Sequence, residues 1–290
     1  MSVLCLISNP ADPALEPRLA QSIHHEIGGE INWLNHGIAC EIIQPKHADP
    51  VGIARGMIAT RPIDAALVPL ANRRKRLLVA DMDSTMINEE CIDELGAAMG
   101  IKPQIAEITD RAMRGELDFA GSLKLRVGLL KGLKRSQVEE VRRERITLAP
   151  GGRALVQTMK AYGAYTALIS GGFTFFADHF GKRIGFDEVT ANTLNFDGDT
   201  LDGTVSDPIV GKDAKVNRLN HLIEAHIIPA IGTLAVGDGA NDLGMIRGAG
   251  LGVALHAKPI VAAEAAVRID HGDLTALLYL QGFSEEDFVL

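Results

Sequence analysis

Hydrophobic positions in the first 69 residues fall in short runs set between stretches of helical spacing. Val3 to Ile7 is an apolar run stopped by Asn9-Pro10, Leu15 to Ile27 recurs at three and four residues, and Ile31 to Leu34 and Ile38 to Ile43 flank an Asn35-His36-Gly37 turn. Pro50 to Ala59 again reads as helix, and Ile63 to Val68 as strand. The order is βαββαβ. From residue 77 the pattern changes: Leu77 to Ala80, Ala164 to Ile169, Thr233 to Val236 and Leu251 to Ala254 are apolar runs, most followed by a helix. That is the grammar of a parallel sheet with helices on both faces. Between the first two runs, Cys91, Ile92, Leu95 and Met99, then Ile105, Ile108 and Met113, then Leu123, Val127 and Leu130, then Val138 and Val141 keep helical spacing. A helical insertion long enough to act as a lid is predicted. Glu188 to Phe196 and Thr200 to Val205 flank Asp197-Gly198-Asp199, a hairpin signal.

The βαββαβ order suits a small α+β module, ferredoxin-like or ACT-like, over residues 1–72. The basic run Asn72 to Arg76 reads as a solvated linker, and 73–290 as an α/β domain with a helical cap at about 88–148. Apolar residues make up 47% of the chain, enough to bury a core, and with 9 Phe, 3 Tyr and 1 Trp that core is mainly aliphatic. The net charge of -8 repels phosphodiester backbones, so nucleic acid is not an expected partner. Cys5, Cys40 and Cys91 are widely spaced without a CxxC pair, which suits a reducing, cytoplasmic setting. The N-terminus lacks a basic leader and no apolar stretch approaches the ~20 residues that cross a bilayer, so no membrane partner is expected.

Chemistry concentrates at the ends of the predicted parallel strands, where open α/β sheets hold their ligands. Asp81-Met82-Asp83-Ser84-Thr85 follows the first apolar run, and Gly237-Asp238-Gly239-Ala240-Asn241-Asp242 follows another. Carboxylates converging there with few histidines point to a hard, oxygen-loving ion such as Mg²⁺. A Gly-rich turn in which Asp238 or Asn241 caps the next helix is the alternative for the second segment. Ser170-Gly171-Gly172, ahead of the helical stretch Phe173 to Phe180, offers a hydroxyl and backbone N–H groups at a predicted helix N-terminus, suited to phosphate oxygens. Lys215, opening the helix Ala214 to Glu224, could supply positive charge to a phosphoryl group.

These four pieces, in this order, resemble the haloacid dehalogenase (HAD) superfamily over residues 77 to about 282. The implied fold is a Rossmann-type parallel sheet with an inserted helical cap. The fuller strings Asp81 to Glu90, Ser170-Gly171-Gly172-Phe173 and Ala191-Asn192 are similar to the phosphoserine phosphatase family, whose bacterial members also carry an ACT-like segment. The resemblance implies Asp81 as nucleophile and Asp83 as general acid and then base. It implies Mg²⁺ held by Asp81, the backbone of Asp83, and Asp238, with Ser170, Gly171, Lys215 and Asn241 on the phosphoryl oxygens and Asp242 orienting Lys215 or the metal site. Glu90 and Arg126 match the family positions for the ammonium and carboxylate of O-phospho-L-serine, and Met113 and Phe119 those of an apolar wall. A phosphotransferase passing the group to an alcohol such as homoserine is the nearest rival activity. An amino-acid-sensing protein on the same scaffold is the rival class. A homodimer paired through the N-terminal domain is the partner the ACT-like segment suggests, with catalysis expected from the remainder alone.

Overall fold

The computed structural model describes residues 1–290, the side chain of Met113 excepted, so the expectation placed on that side chain lies outside the described residues. Strand β1 (Ser2–Ser8), helix α1 (Pro17–Ile27), β2 (Glu30–Asn35), β3 (Ala39–Ile43), α2 (Pro50–Ile58) and β4 (Ile63–Pro69) keep the expected order. Proline opens both helices, at the position where its missing N–H costs nothing, and Asp49 caps α2 by accepting the Gly52 N–H at 2.9 Å. The four strands form an antiparallel sheet in the order β2-β3-β1-β4. Alternation divides β1 between two cores. Leu4 and Leu6 pack with Ala20, Ile23, Ala54 and Ile58 of the two helices, while Val3, Cys5 and Ile7 join the main core of the molecule.

The second part begins with β5 (Leu77–Ala80) and continues into the predicted insertion: α3 (Cys91–Ala98), α4 (Lys102–Met113), α5 (Phe119–Leu129) and α6 (Arg135–Glu144). Then come α7 (Gly152–Ala161), β6 (Tyr165–Phe173), α8 (Thr174–Ile184), β7 (Glu188–Asn192), the hairpin β8 (Leu194–Asp197) and β9 (Thr200–Val205), and α9 (Lys212–Ala225). The chain closes with β10 (Thr233–Gly237), α10 (Leu243–Gly248), β11 (Leu251–Leu255), α11 (Pro259–Glu264), β12 (Val267–Ile269) and α12 (Ala276–Leu280). Six strands make a parallel sheet in the order β12-β11-β10-β5-β6-β7. Every residue of β5, β10 and β11 is buried, as a sheet covered on both faces requires. Leu77, Val79 and Ile169 pack on Leu219 and Leu222 of α9 and Met245 of α10; Leu78, Ala80 and Leu168 face Leu155, Phe176 and Leu277. Each such aliphatic side chain contributes roughly 1.5–3 kcal/mol on burial, which makes the strand ends a firm platform.

Three expectations change, and one strand was not foreseen. Strand β6 runs on through Ser170 to Phe173, with a register irregularity after Ile169, so the Ser170 segment is bulged strand and the helix starts at Thr174. The strand expected over Glu188 to Phe196 breaks at Thr193 because β7 pairs with β6 while β8 pairs with β9. Strand β12 has three residues, too few for periodicity to register. The basic run at 73–76 is no solvated linker. Arg73 pairs with Glu41 and donates to the carbonyls of Leu280 at 2.8 Å and Tyr279 at 3.1 Å, at the electronegative end of α12. Lys75 is 8% exposed, with Nζ donating to the carbonyls of Asn72 and Ile231 at 2.7 and 2.8 Å. Backbone carbonyls facing the run draw two of its cations inward.

The hairpin belongs to the insertion as much as to the sheet. Gly132 N–H donates to Leu201 O at 2.8 Å, Leu201 N–H to Leu133 O at 2.9 Å and Arg135 N–H to Asp199 O at 2.8 Å. The Arg135 guanidinium lies 3.8 Å from the Phe196 ring centre. No helix among the described residues is long and apolar enough to cross a membrane.

Candidate active site

Asp81 follows β5 and Asp238 follows β10, its hydrogen-bonded neighbour, so both acidic segments emerge at one sheet edge. Past Asp81 the chain curls tightly: Ser84 takes a left-handed φ of 54°, and the N–H groups of Thr85, Met86 and Ile87 all point at the Met82 carbonyl. Oxygens of Asp81, Asp238 and Asp242, all buried, lie within 4.8 Å of one another. Lys215, fully buried, sets Nζ 2.6 Å from Oδ1 of both Asp81 and Asp242. Its contact with Asp242 is a hydrogen bond, whereas its contact with Asp81 Oδ1 is an ion pair outside hydrogen-bond geometry. Gly237 is required here, since a Cβ would fall 2.4 Å from Asp242 Cγ and displace that carboxylate.

One buried ammonium therefore sits between the carboxyl groups of Asp81 and Asp242, with Asp238 beside them. Burial, then the charge of Asp242, pushes the Asp81 pKa well above the ordinary carboxylate value, with Lys215 pulling the other way. Asp238 is pushed up to about 6 by burial and by Asp242. Burial works against the charge on Lys215, but Asp242 and Asp81 outweigh it and its pKa rises. Surplus negative charge and an all-oxygen donor set of three buried carboxylates fit a hard divalent cation.

Asp83 points away from this cluster. Its Oδ1 accepts the Cys91 N–H at 2.8 Å, its Oδ2 accepts from Ser170 Oγ at 3.2 Å, and burial raises its pKa. A Cβ on Gly172 would lie 2.4 Å from Asp83 Oδ2, so only glycine lets the two segments meet. Asn192 fixes the bulge: Nδ2 donates to Gly171 O at 2.9 Å and Val210 O at 3.1 Å, and Oδ1 accepts the Val210 N–H at 2.8 Å. Asn241 stands half-buried beside Gly239.

The insertion supplies the roof. The ring of Phe119 sits where side chains on Gly171 and Gly211 would be, 2.9 and 3.0 Å from their built Cβ positions. Glu90 Oε1 accepts from Ser84 Oγ at 3.0 Å, and its pKa is pushed up to about 7 by burial, then by Asp83 and Asp238. Arg126 donates from Nε to Ser122 O at 3.3 Å; burial lowers its pKa, while Glu90, Asp93 and Asp83 favour its charge. Both residues thus sense the charge of Asp83. Sequence reasoning gave no role to the Cys91 N–H or to Lys258, whose Nζ lies 4.0 Å from Asp238 Oδ2. A backbone donor leaves no trace in residue identity, and Lys258 reads as an ordinary surface lysine.

The haloacid dehalogenase-like hydrolase model matches residues 78–247, more than half of the chain. The chain belongs to this family. Among haloacid dehalogenase-like relatives, a phosphoserine phosphatase of Haemophilus influenzae is 46% identical over 204 residues, 70% of this chain and 65% of that protein. The chain thus spans just under two thirds of that relative's length. A HAD family hydrolase from Salmonella enterica serovar Typhi superposes with a TM-score of 0.84 at 29% identity, covering 99% of this chain and all of that one. A structure described as a phospho-aspartyl intermediate analogue of phosphoserine phosphatase has a TM-score of 0.66 at 36% identity, covering 71% of this chain and 98% of its own.

Proposed function

We propose that the chain is a Mg²⁺-dependent phosphomonoesterase that converts O-phospho-L-serine to L-serine and phosphate, the last step of serine biosynthesis. The observation that carries the proposal is a two-layer arrangement of charge. Lys215 with Asp81, Asp238 and Asp242 forms a floor at the sheet edge, and Glu90 with Arg126 forms a cap layer coupled to it through Asp83. The floor suits a phosphoryl group, and the cap layer suits an ammonium and a carboxylate, which Arg can bind bidentately.

The Asp81 and Asp238 carboxylates and the Asp83 backbone carbonyl would hold Mg²⁺, which when bound offsets the charge between nucleophile and phosphate. Asp81 attacks phosphorus, and the bond from phosphorus to the serine oxygen breaks as Asp83 gives that oxygen a proton. Burial favours the protonated Asp83 this step needs. Asp83, now a carboxylate, takes a proton from water; the water oxygen bonds to phosphorus, the bond to Asp81 breaks, and phosphate leaves. Ser170 Oγ, the Gly171 N–H, Lys215 and Asn241 bind the phosphoryl oxygens, and Phe119 excludes bulk water. The 46% identity to a phosphoserine phosphatase of Haemophilus influenzae supports this reading.

Phosphate release from a panel of phosphorylated metabolites, in Mg²⁺ and in EDTA, tests the proposal together with acid-quench trapping of the labelled phosphoenzyme. Hydrolysis of phosphoserine in Mg²⁺ alone, with label on Asp81, is expected. No turnover of phosphoserine, or label on another residue, would sink it. Phosphohomoserine formed in the presence of homoserine would instead identify a transferase.

A further inference from the structure

The buried carboxylate of Asp64 serves neither layer of the site, yet it ties the N-terminal sheet to the rest of the protein through three backbone N–H groups. Asp64 lies on β4 opposite Ile7 of β1 and is 5% exposed. Its Oδ1 accepts the Asp270 N–H and its Oδ2 the Gly272 N–H, each at 2.8 Å, with the His271 N–H shared between them at 3.3 and 3.1 Å. Asn9, just past β1, donates Nδ2 to the His271 carbonyl at 3.0 Å. The N-terminal sheet therefore grips segment 270–272 by both its donors and an acceptor.

That segment in turn holds the turn beside the cation site. His256 Nε2 hydrogen-bonds Gly272 O at 2.8 Å, which requires the proton on Nε2, and the His256 N–H donates to Ile269 O at 2.8 Å. These contacts fix His256 at a left-handed φ of 44°, a conformation side-chain-bearing residues rarely adopt. Two residues on, the Lys258 N–H donates to the Asp238 carbonyl at 3.1 Å, and Nζ approaches Asp238 Oδ2. Hydrogen bonds from Asp64 through Gly272 to His256, then the backbone from His256 to Lys258 and the Lys258 N–H, connect Asp64 to the backbone of Asp238.

We infer that Asp64 is a positioning residue for the divalent-cation site, acting through segment 270–272 and His256 on Asp238. This rests on reading Asp81 and Asp238 as the carboxylates that hold the cation. Outer partners of metal ligands change affinity by about 10- to 100-fold on mutation; Asp64 lies further out, so a loss of roughly 3- to 10-fold is expected. Asp64→Asn keeps shape but turns an NH₂ group toward backbone N–H donors, setting donor against donor.

The test uses the full chain without substrate and Mn²⁺ as probe, with free ion followed by electron paramagnetic resonance and folding by circular dichroism. Asp64→Asn and His256→Leu should bind Mn²⁺ more weakly, His256→Gln, whose amide can still donate to Gly272 O, should bind within twofold of wild type, and kcat at saturating Mg²⁺ should hold while half-saturation rises. Folded Asp64→Asn and His256→Leu proteins with wild-type Mn²⁺ affinity would overturn the inference. If Asp64→Asn does not fold, the comparison of His256→Leu with His256→Gln decides, and equal affinities there overturn it. A wild-type chain that binds no Mn²⁺ would overturn the reading of the cation site itself, and the inference with it.

Discussion

Replacing Lys215 by methionine keeps an unbranched side chain, one atom shorter, and removes the ammonium between Asp81 and Asp242. With Nζ 2.6 Å from an oxygen of each and Lys215 fully buried, the substitution strands carboxylates in a site closed to water. Breaking a buried ion pair from one side costs about 3–5 kcal/mol, a large share of a typical stability of roughly 5–15 kcal/mol. Proton uptake limits that loss, because burial and Asp242 already favour a protonated Asp81. In EDTA at pH 8, Lys215→Met should therefore unfold about 6–20 °C earlier than wild type, on a scale of roughly 2–4 °C per kcal/mol. Mg²⁺ at a hundred times its dissociation constant should restore about 2.7 kcal/mol. Asp81→Asn should shift the other way in EDTA, equal to wild type or more stable, since it removes charge from the crowded side of the cluster. Thermal unfolding followed by far-UV circular dichroism, with EDTA and with Mg²⁺, reads all of these. A Lys215→Met protein within about 1 kcal/mol of wild type and indifferent to Mg²⁺ would show that the cluster is not held together by charge, and the reasoning would fall.

Arg126→Ala should raise KM for phosphoserine by about 10- to 150-fold, the loss of a charge-assisted contact of roughly 1.5–3 kcal/mol, and leave phosphoethanolamine much less affected; steady-state kinetics on both substrates checks this. Gly172→Ala should lower kcat at least tenfold with the fold intact, because its Cβ would meet Asp83 Oδ2; a wild-type kcat would refute the close approach. In EDTA, Glu90 and Asp238 carry native pKa values of about 7 and about 6 against ordinary values of 4.5 and 3.8. The native state then binds more protons than the unfolded chain across roughly that window, and these two groups make stability fall as pH rises from about 4 to about 7. Urea unfolding of wild type against Glu90→Gln at pH 5 and pH 7.5 measures the slope, which should shrink in the variant.

The buried strands β5, β10 and β11 were legible because four- and five-residue apolar runs cannot be solvent-facing, and the two acidic segments announced themselves by standing at their ends. The βαββαβ succession of elements in the N-terminal part was equally plain. Hidden were features decided by partners distant in sequence. Arg73 and Lys75 look like linker cations until the carbonyls at the end of α12 and at Ile231 are brought to them. The bulge at Ser170 depends on Asn192, 22 residues later, and nothing in a Ser-Gly-Gly string distinguishes a bulged strand from a helix start. Roles that arise from charge balance, such as a Lys215 shared by two carboxylates, also need coordinates, because a lysine in a helix carries no mark of burial.

The β8–β9 hairpin gives the cap a third anchor besides the two chain crossings at 81–90 and 145–151. Its backbone is stitched to the α5–α6 connection at Gly132, Leu133 and Arg135, and its other end continues directly from Asn192, the residue that pins Gly171 and Val210. A cap tied in this manner cannot swing as a door on two hinges without dragging the hairpin. Any travel of the cap is geared to the strand that feeds Asn192, so the Phe119 roof and the bulge at 170–172 are linked parts of one assembly.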